Sequence, residues 1–141
     1  MFSVILDYYN KIWNNSDLNF LQAIFDKNIT ISFTALDKAN DGFTRSGFNN
    51  VHKTYQDWDL LADRLKTKVL SFYVKDLKNG SFRVKYEIEQ THKFKLSPND
   101  SQKYRFKVKD ELKLVTKNNG RIYIKQIDAL RYSKKDLNKD I

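Results

Sequence analysis

The sequence predicts an α+β domain, with helices gathered on one face of a curved, mainly antiparallel sheet. Three observations predict it. Apolar residues recur at helical spacing in three stretches before residue 66, around a single β-branched run. From Lys66 onward apolar and charged residues alternate, with turns at Gly80 and Gly120. One proline and four glycines in 141 residues leave those elements long and unbroken. A chain of this length is expected to form one domain with a real core, residues 1–133, followed by a flexible tail over 134–141.

The elements follow in order. Residues 3–14 put Ile5, Tyr8, Tyr9, Ile12 and Trp13 on one helical stripe. "NNSDLNFLQAIFD" restarts a short helix, capped by Ser16 or Asn15 ahead of Leu18, Leu21, Ile24 and Phe25. "NITISFTAL" alternates and is β-branched, so it reads as a strand, and "DKANDGFTRSG" reads as a loop. Ser46 is placed to cap a third helix whose stripe is Phe48, Val51, Tyr55, Trp58, Ala62 and Leu65, the spacing of a face buried on a sheet. "KVLSFYVKDL" is a strand, and Asn79-Gly80 centres a two-residue hairpin turn. Residues 81–96 and 103–117 are the next two strands, 118–120 a three-residue turn, and 121–132 the closing strand.

Composition narrows the function. There is no cysteine, so neither a disulfide framework nor a thiolate metal site is expected, and two distant histidines give no metal motif. No cofactor is expected, since no glycine-rich phosphate loop occurs. The first residues lack a signal-peptide pattern, and a cytoplasmic protein with no membrane association is expected. The charge of +9 is uneven. Residues 1–63 hold 5 Lys/Arg against 8 Asp/Glu and residues 64–141 hold 21 against 9, giving −3 and +12. Such a basic half raises a polyanion as partner, but the outward strand positions offer lysines and almost no aromatics. Nucleic-acid binding is therefore expected to be at most non-specific.

The alternation sets polar residues on dry faces. In the strand 81–96 the even row is Phe82, Val84, Tyr86, Ile88, Gln90, His92, Phe94 and Leu96, opposite a charged odd row. In 103–117 the same row holds Asp110 among Phe106, Val108, Leu112 and Leu114. The even row of the last strand carries Gln126 and Asp128; the 118–120 turn pairs Asp110 with Asp128, and a two-residue slip pairs it with Gln126. The odd set of that strand, Tyr123, Ile127 and Ala129, is apolar too. Burying such groups without partners costs about 1 to 3 kcal/mol each, so their convergence predicts a polar-lined pocket. A buried carboxyl there is expected to have a raised pKa and to exchange protons with a neighbouring histidine.

The chain resembles the nuclear-transport-factor-2-like superfamily, which includes SnoaL-like cyclases and ketosteroid isomerases. "YYNKIWNNSDLNFLQAIFDKNITISF" is similar to the family's opening and "GRIYIKQIDAL" to its final strand, and the likeness spans Phe2 to about Tyr132. The resemblance implies a cone, a strongly curved sheet wrapped around about three helices with a pocket between them. It implies a small hydrophobic or carbonyl-containing ligand and acid–base chemistry without a cofactor, of isomerase, cyclase or dehydratase type. In the isomerases a tyrosine and a protonated aspartic acid form the oxyanion hole; by motif these fall on Tyr9 and near Asp110. The base position falls at about Phe33, which takes no proton, and that departs from steroid isomerisation. His92 is the expected base. Gln90, Gln126, Asp128, Tyr86, Trp13, Phe33 and Trp58 are the expected ligand-binding residues. The resemblance also implies a homodimer through the outer sheet face, where Val115, Tyr123, Ile127 and Ala129 form an apolar patch. The competing expectation is a non-enzymatic interaction module that uses the basic outer face or a dimer surface.

Overall fold

The structure, a computed structural model, describes residues 18–36, 41–95 and 103–137. The first predicted helix, with Tyr9 and Trp13, lies outside the described residues. Among these the order is α1 (Leu18–Ile24), β1 (Phe25–Ala35), β2 (Asp41–Ser46), α2 (Phe48–Leu61), β3 (Ala62–Asp76), β4 (Ser81–Phe94), β5 (Lys103–Thr116) and β6 (Ile122–Asp136). One six-stranded sheet runs β2-β1-β6-β5-β4-β3. Only the β1–β6 pairing is parallel among the described strands.

The core follows from the alternation. Val84, Tyr86, Ile88 and Gln90 on β4, and Phe106, Val108, Asp110, Leu112 and Leu114 on β5, are all buried. The helices close over that row: Leu21 and Ile24 of α1, Val51 and Tyr55 of α2 are buried with it. Phe25, at the α1–β1 junction, packs its ring 6.0 Å from Tyr55. The outer row is charged and pairs within the sheet: Arg83 with Glu111 at 3.0 Å, Arg105 with Glu89 at 3.3 Å and Lys109 with Glu87 at 3.6 Å. The three outward glutamates thus offset lysines and arginines of their own chain.

Several expectations need correcting. The stretch read as a loop contains β2, which pairs with β1 from Thr30↔Ser46 to Ala35↔Asp41. Its outer positions are hydroxyls, Thr30 to Ser46 and Ser32 to Thr44, and so lack the apolar row that marks a strand. Ser46 does not cap α2. Gly47 stands there with φ 88°, a conformation open to glycine, and its N–H donates to Ile29 O at 2.8 Å. The helix stops at Leu61, and Ala62 is extended and begins β3. The helical stripe overran because Ala62 is buried in either period; Leu65, on the strand, is exposed. The Asn79-Gly80 hairpin closes at Leu77 N–H to Ser81 O, a three-residue loop with Lys78 and Gly80 at positive φ. β6 extends past the expected end at 132; its register shifts by one residue at Tyr132, and beyond it Phe106↔Lys134 and Tyr104↔Asp136 pair.

One irregularity decides the site. The 118–120 turn forms as expected, Lys117 N–H donating to Arg121 O. Leu114 pairs with Ile124, yet Lys113 pairs with Gln126, so Lys125 is an extra residue in β6. Such a bulge reverses the phase of the side chains that follow it, here as far as the second shift at Tyr132. Ile124 is buried before it, Ile127 and Ala129 after it. Asp110 therefore faces Ala129, neither Asp128 nor Gln126. The expected outer patch of Val115, Tyr123, Ile127 and Ala129 is divided, because its last two members belong to the core.

Candidate functional site

A cavity of about 290 Å³ lies between the inner sheet face and α2. Its apolar wall is aromatic. Phe33 of β1 and Phe43 of β2 face each other at 5.6 Å, and Trp58 of α2 meets them at 5.9 and 6.0 Å. Tyr55, Phe94, Phe106, Val108, Ile127 and Ala129 complete it. Besides the Tyr55 phenol, three described lining residues carry titratable or charged chemistry: Asp110, His92 and Arg131.

Asp110 is buried, and among the described residues neither carboxyl oxygen has a hydrogen bond of good geometry, the Tyr86 hydroxyl being its neighbour across the ladder. Burial pushes its pKa from 3.8 up to about 7, partly opposed by the hydroxyl of Tyr86, directly across the ladder. At neutral pH the group exists in both protonation states, as a proton donor and acceptor needs.

His92 is half-buried. Its Nε2 lies 2.5 Å from Gln90 Oε1, and Gln90 Nε2 donates to Thr67 Oγ1 at 3.2 Å. The amide oxygen is thus the acceptor, Nε2 carries the hydrogen, and in the neutral ring Nδ1 is the basic nitrogen. His92 sits opposite Tyr104, whereas Asp110 sits opposite Tyr86. Six residues of strand, about 20 Å at 3.3 Å each, separate the two positions. The expected direct exchange between them does not fit this register; they serve opposite ends of the cavity.

The other expected residues divide. Trp58 and Phe33 line the cavity; Tyr86 and Gln90 stand behind it, next to Asp110 and His92. Gln126 and Asp128 turn to the outer face, where Gln126 Nε2 donates to Asp128 Oδ2 at 3.0 Å. The bulge at Lys125 moves them out. The same bulge brings in Arg131, which the strict alternation had assigned outward. The apolar odd set at 123, 127 and 129 was the one signal that could have found it.

A groove of about 550 Å³ crosses the outer face. It is lined in triplets along the strands, such as Lys85-Tyr86-Glu87, Lys109-Asp110-Glu111 and Asp128-Ala129-Leu130. The middle residue of each belongs to the inner row, so its side chain points away and the walls are the flanking, largely charged residues. This groove lacks the dry lining of the inner cavity. Among the described residues no group of three His, Cys, Asp or Glu is arranged to hold a metal ion. No helix among them is long and apolar enough to cross a membrane.

No family model matches the sequence, and no curated protein matches it. Solved structures do. A ketosteroid isomerase-like protein from Erwinia carotovora atroseptica aligns with TM-score 0.74 at 11% identity, over 93% of this chain and 92% of that one. This chain has the nuclear-transport-factor-2-like fold. A hexachlorocyclohexane dehydrochlorinase from Novosphingobium barchaimii aligns with TM-score 0.73 at 9% identity, over 95% and 85% of the two chains. ActVI-ORFA from Streptomyces coelicolor gives 0.66 at 8%, over 92% and 96%. At such identities the likeness concerns the fold alone, a cone-shaped curved sheet.

Proposed function

We propose that the inner cavity binds a small, largely apolar, carbonyl-containing molecule and that Asp110 moves a proton next to its carbonyl. The observation that carries this reading is the Asp110 carboxyl: buried, with neither oxygen well hydrogen-bonded among the described residues, at the wall of an apolar cavity. A polar group so placed costs stability unless a ligand supplies its partner. As the neutral acid Asp110 donates to a carbonyl oxygen, and as the carboxylate it takes a proton from the adjacent carbon. A pKa near 7 lets both forms be populated. Neighbours in the same fold are named for an isomerase-like protein and a dehydrochlorinase, both consistent with proton removal at carbon. His92, held through Gln90, orients the far end of the ligand.

The test is hydrogen–deuterium exchange. With 2-tetralone in D₂O, the protein should accelerate loss of the proton signal beside the carbonyl, and Asp110→Asn should slow that catalysed exchange about 10²- to 10⁴-fold. Unchanged exchange in the variant would remove Asp110 from the mechanism. A second reading, an interaction module, is favoured by edge strand β3, where Leu65, Val69, Phe72 and Tyr73 are exposed. Under it, Val69→Lys with Tyr73→Lys would abolish an association seen by sedimentation, and exchange activity would be absent.

A further inference from the structure

Two steps in the sequence join asparagine to glycine, Asn79-Gly80 and Asn119-Gly120, and both stand in exposed hairpin turns of one form. Leu77 N–H donates to Ser81 O at 3.0 Å in the β3–β4 turn, and Lys117 N–H to Arg121 O at 2.9 Å in the β5–β6 turn. Gly80 has φ 78° and Gly120 φ 77°. In each turn the asparagine Oδ1 accepts the N–H of the residue after the glycine, Ser81 at 3.2 Å and Arg121 at 2.9 Å. The donors set the two apart. Gly120 N–H donates to Lys117 O at 2.9 Å, and Asn119 Nδ2 donates to the Tyr123 hydroxyl at 3.1 Å. Among the described residues neither Gly80 N–H nor Asn79 Nδ2 donates a hydrogen bond.

That difference bears on a reaction of the chain with itself, in which an asparagine loses its amide to the backbone nitrogen that follows it. A glycine presents that nitrogen with no Cβ in the way. A hydrogen bond that holds the N–H opposes loss of the proton, and only the deprotonated nitrogen attacks. We infer that Asn79 is a site of spontaneous deamidation and that the β5–β6 turn protects Asn119 from the same reaction. Gly80 N gives up its proton and attacks Cγ of Asn79. The N–Cγ bond forms, the Cγ–Nδ2 bond breaks, and the amide group leaves with that proton as ammonia. Water then opens the cyclic imide at either carbonyl, leaving an aspartyl or an isoaspartyl residue with a new carboxylate. The isoaspartyl form adds a methylene to the backbone of a turn whose Gly80 O accepts Thr116 N–H at 2.8 Å, so the end of β5 is disturbed with it.

The experiment keeps the full folded chain in warm, mildly alkaline buffer and follows both asparagines by peptide mass mapping, beside the same chain unfolded in guanidinium chloride. Unfolded, the two sites should convert at similar rates, because glycine follows both. Folded, Asn79 should convert about tenfold or more faster than Asn119, the effect on a barrier of one or two hydrogen bonds that must first be given up. Tyr123→Phe, which removes the acceptor of the Asn119 amide, should narrow that gap. Asn79→Gln, whose longer side chain closes a ring more slowly, should abolish conversion in the β3–β4 turn and leave that at Asn119 unchanged. Equal rates at the two sites of the folded protein, or faster conversion at Asn119, would overturn the assignment. An Asn79 that converts only in the unfolded chain would overturn it too. A gap unchanged by Tyr123→Phe would overturn the part given to the bond between Asn119 and Tyr123.

Discussion

Replacing Asp110 by asparagine should change how stability depends on pH, and the size of the change follows from the burial of the carboxyl. The folded protein holds its proton up to about pH 7, whereas the exposed carboxyl of the unfolded chain loses it near 3.8. Between those values the folded state binds one more proton than the unfolded state, so stability falls as pH rises. The slope is about 1.36 kcal/mol per pH unit. Over the interval from 3.8 to about 7 the loss from this group reaches about 4 kcal/mol, complete above pH 7 and absent below pH 4. The asparagine side chain of the variant does not titrate. Urea unfolding of both proteins at pH 4, 5.5, 7 and 8 should show the difference in stability moving in favour of Asp110→Asn by about 4 kcal/mol across the series. Taking the difference cancels the distant groups that titrate alike in both proteins. Curves that stay parallel from pH 4 to 8, within about 0.5 kcal/mol, would show an ordinary carboxyl in contact with water. The cavity chemistry would then lose its central residue.

Other substitutions test the frame around the site. Asp26 is buried, and burial acts to raise its pKa, but the hydrogen bond from Lys117 at 2.7 Å, the Asn28 N–H and the charges of Lys117 and Lys125 outweigh it and lower the value. A lowered value stabilises the fold above the unfolded pKa and ceases to do so as pH falls through the folded one. Asp26→Asn should therefore cost about 1 to 3 kcal/mol at pH 7 and progressively less as pH falls through the lowered folded value, by denaturant titration at each pH. Deleting Lys125 should remove the bulge and leave Ile127 and Ala129 on the inner row as they are, so a native-like, dispersed amide spectrum is the expected result, and loss of that dispersion would refute the phase assignment. Gly47→Val should lower the unfolding midpoint, because φ 88° is disfavoured for a branched side chain. Ile127→Ala should cost about 2 to 5 kcal/mol, while Gln126→Ala, on the exposed row, should cost less than about 0.5 kcal/mol.

Much of the fold was legible because the buried rows of β4 and β5 obey a period of two without interruption. Val84, Tyr86 and Ile88 were placed by that rule alone, as were Phe106, Asp110 and Leu112. β2 was illegible for a physical reason. It is short, pairs with β1 through outward hydroxyls, and shows inward only Phe43 as a large apolar residue. The end of α2 was blurred because helix and strand both bury Ala62. Composition could not distinguish a basic outer face open to partners from one whose charges pair at home. That distinction appears only when the β4–β5 register sets Arg83, Arg105 and Lys109 beside Glu111, Glu89 and Glu87.

The site itself depends on one residue that takes no part in it. With strict alternation from the 118–120 turn, Gln126 and Asp128 would enter the cavity and Arg131 would face outward. That cavity would hold two carboxyls, Asp110 and Asp128, in opposing positions, and would disfavour an anion. The extra residue at Lys125 exchanges that set for Ile127, Ala129 and Arg131. An acid-rich wall becomes one with a single buried acid and a stacked cation. The acid then faces Ala129 across the ladder, and burial is what raises its pKa. The apolar residues that face Asp110 and the inward place of Arg131 thus have one structural cause, the bulge at Lys125.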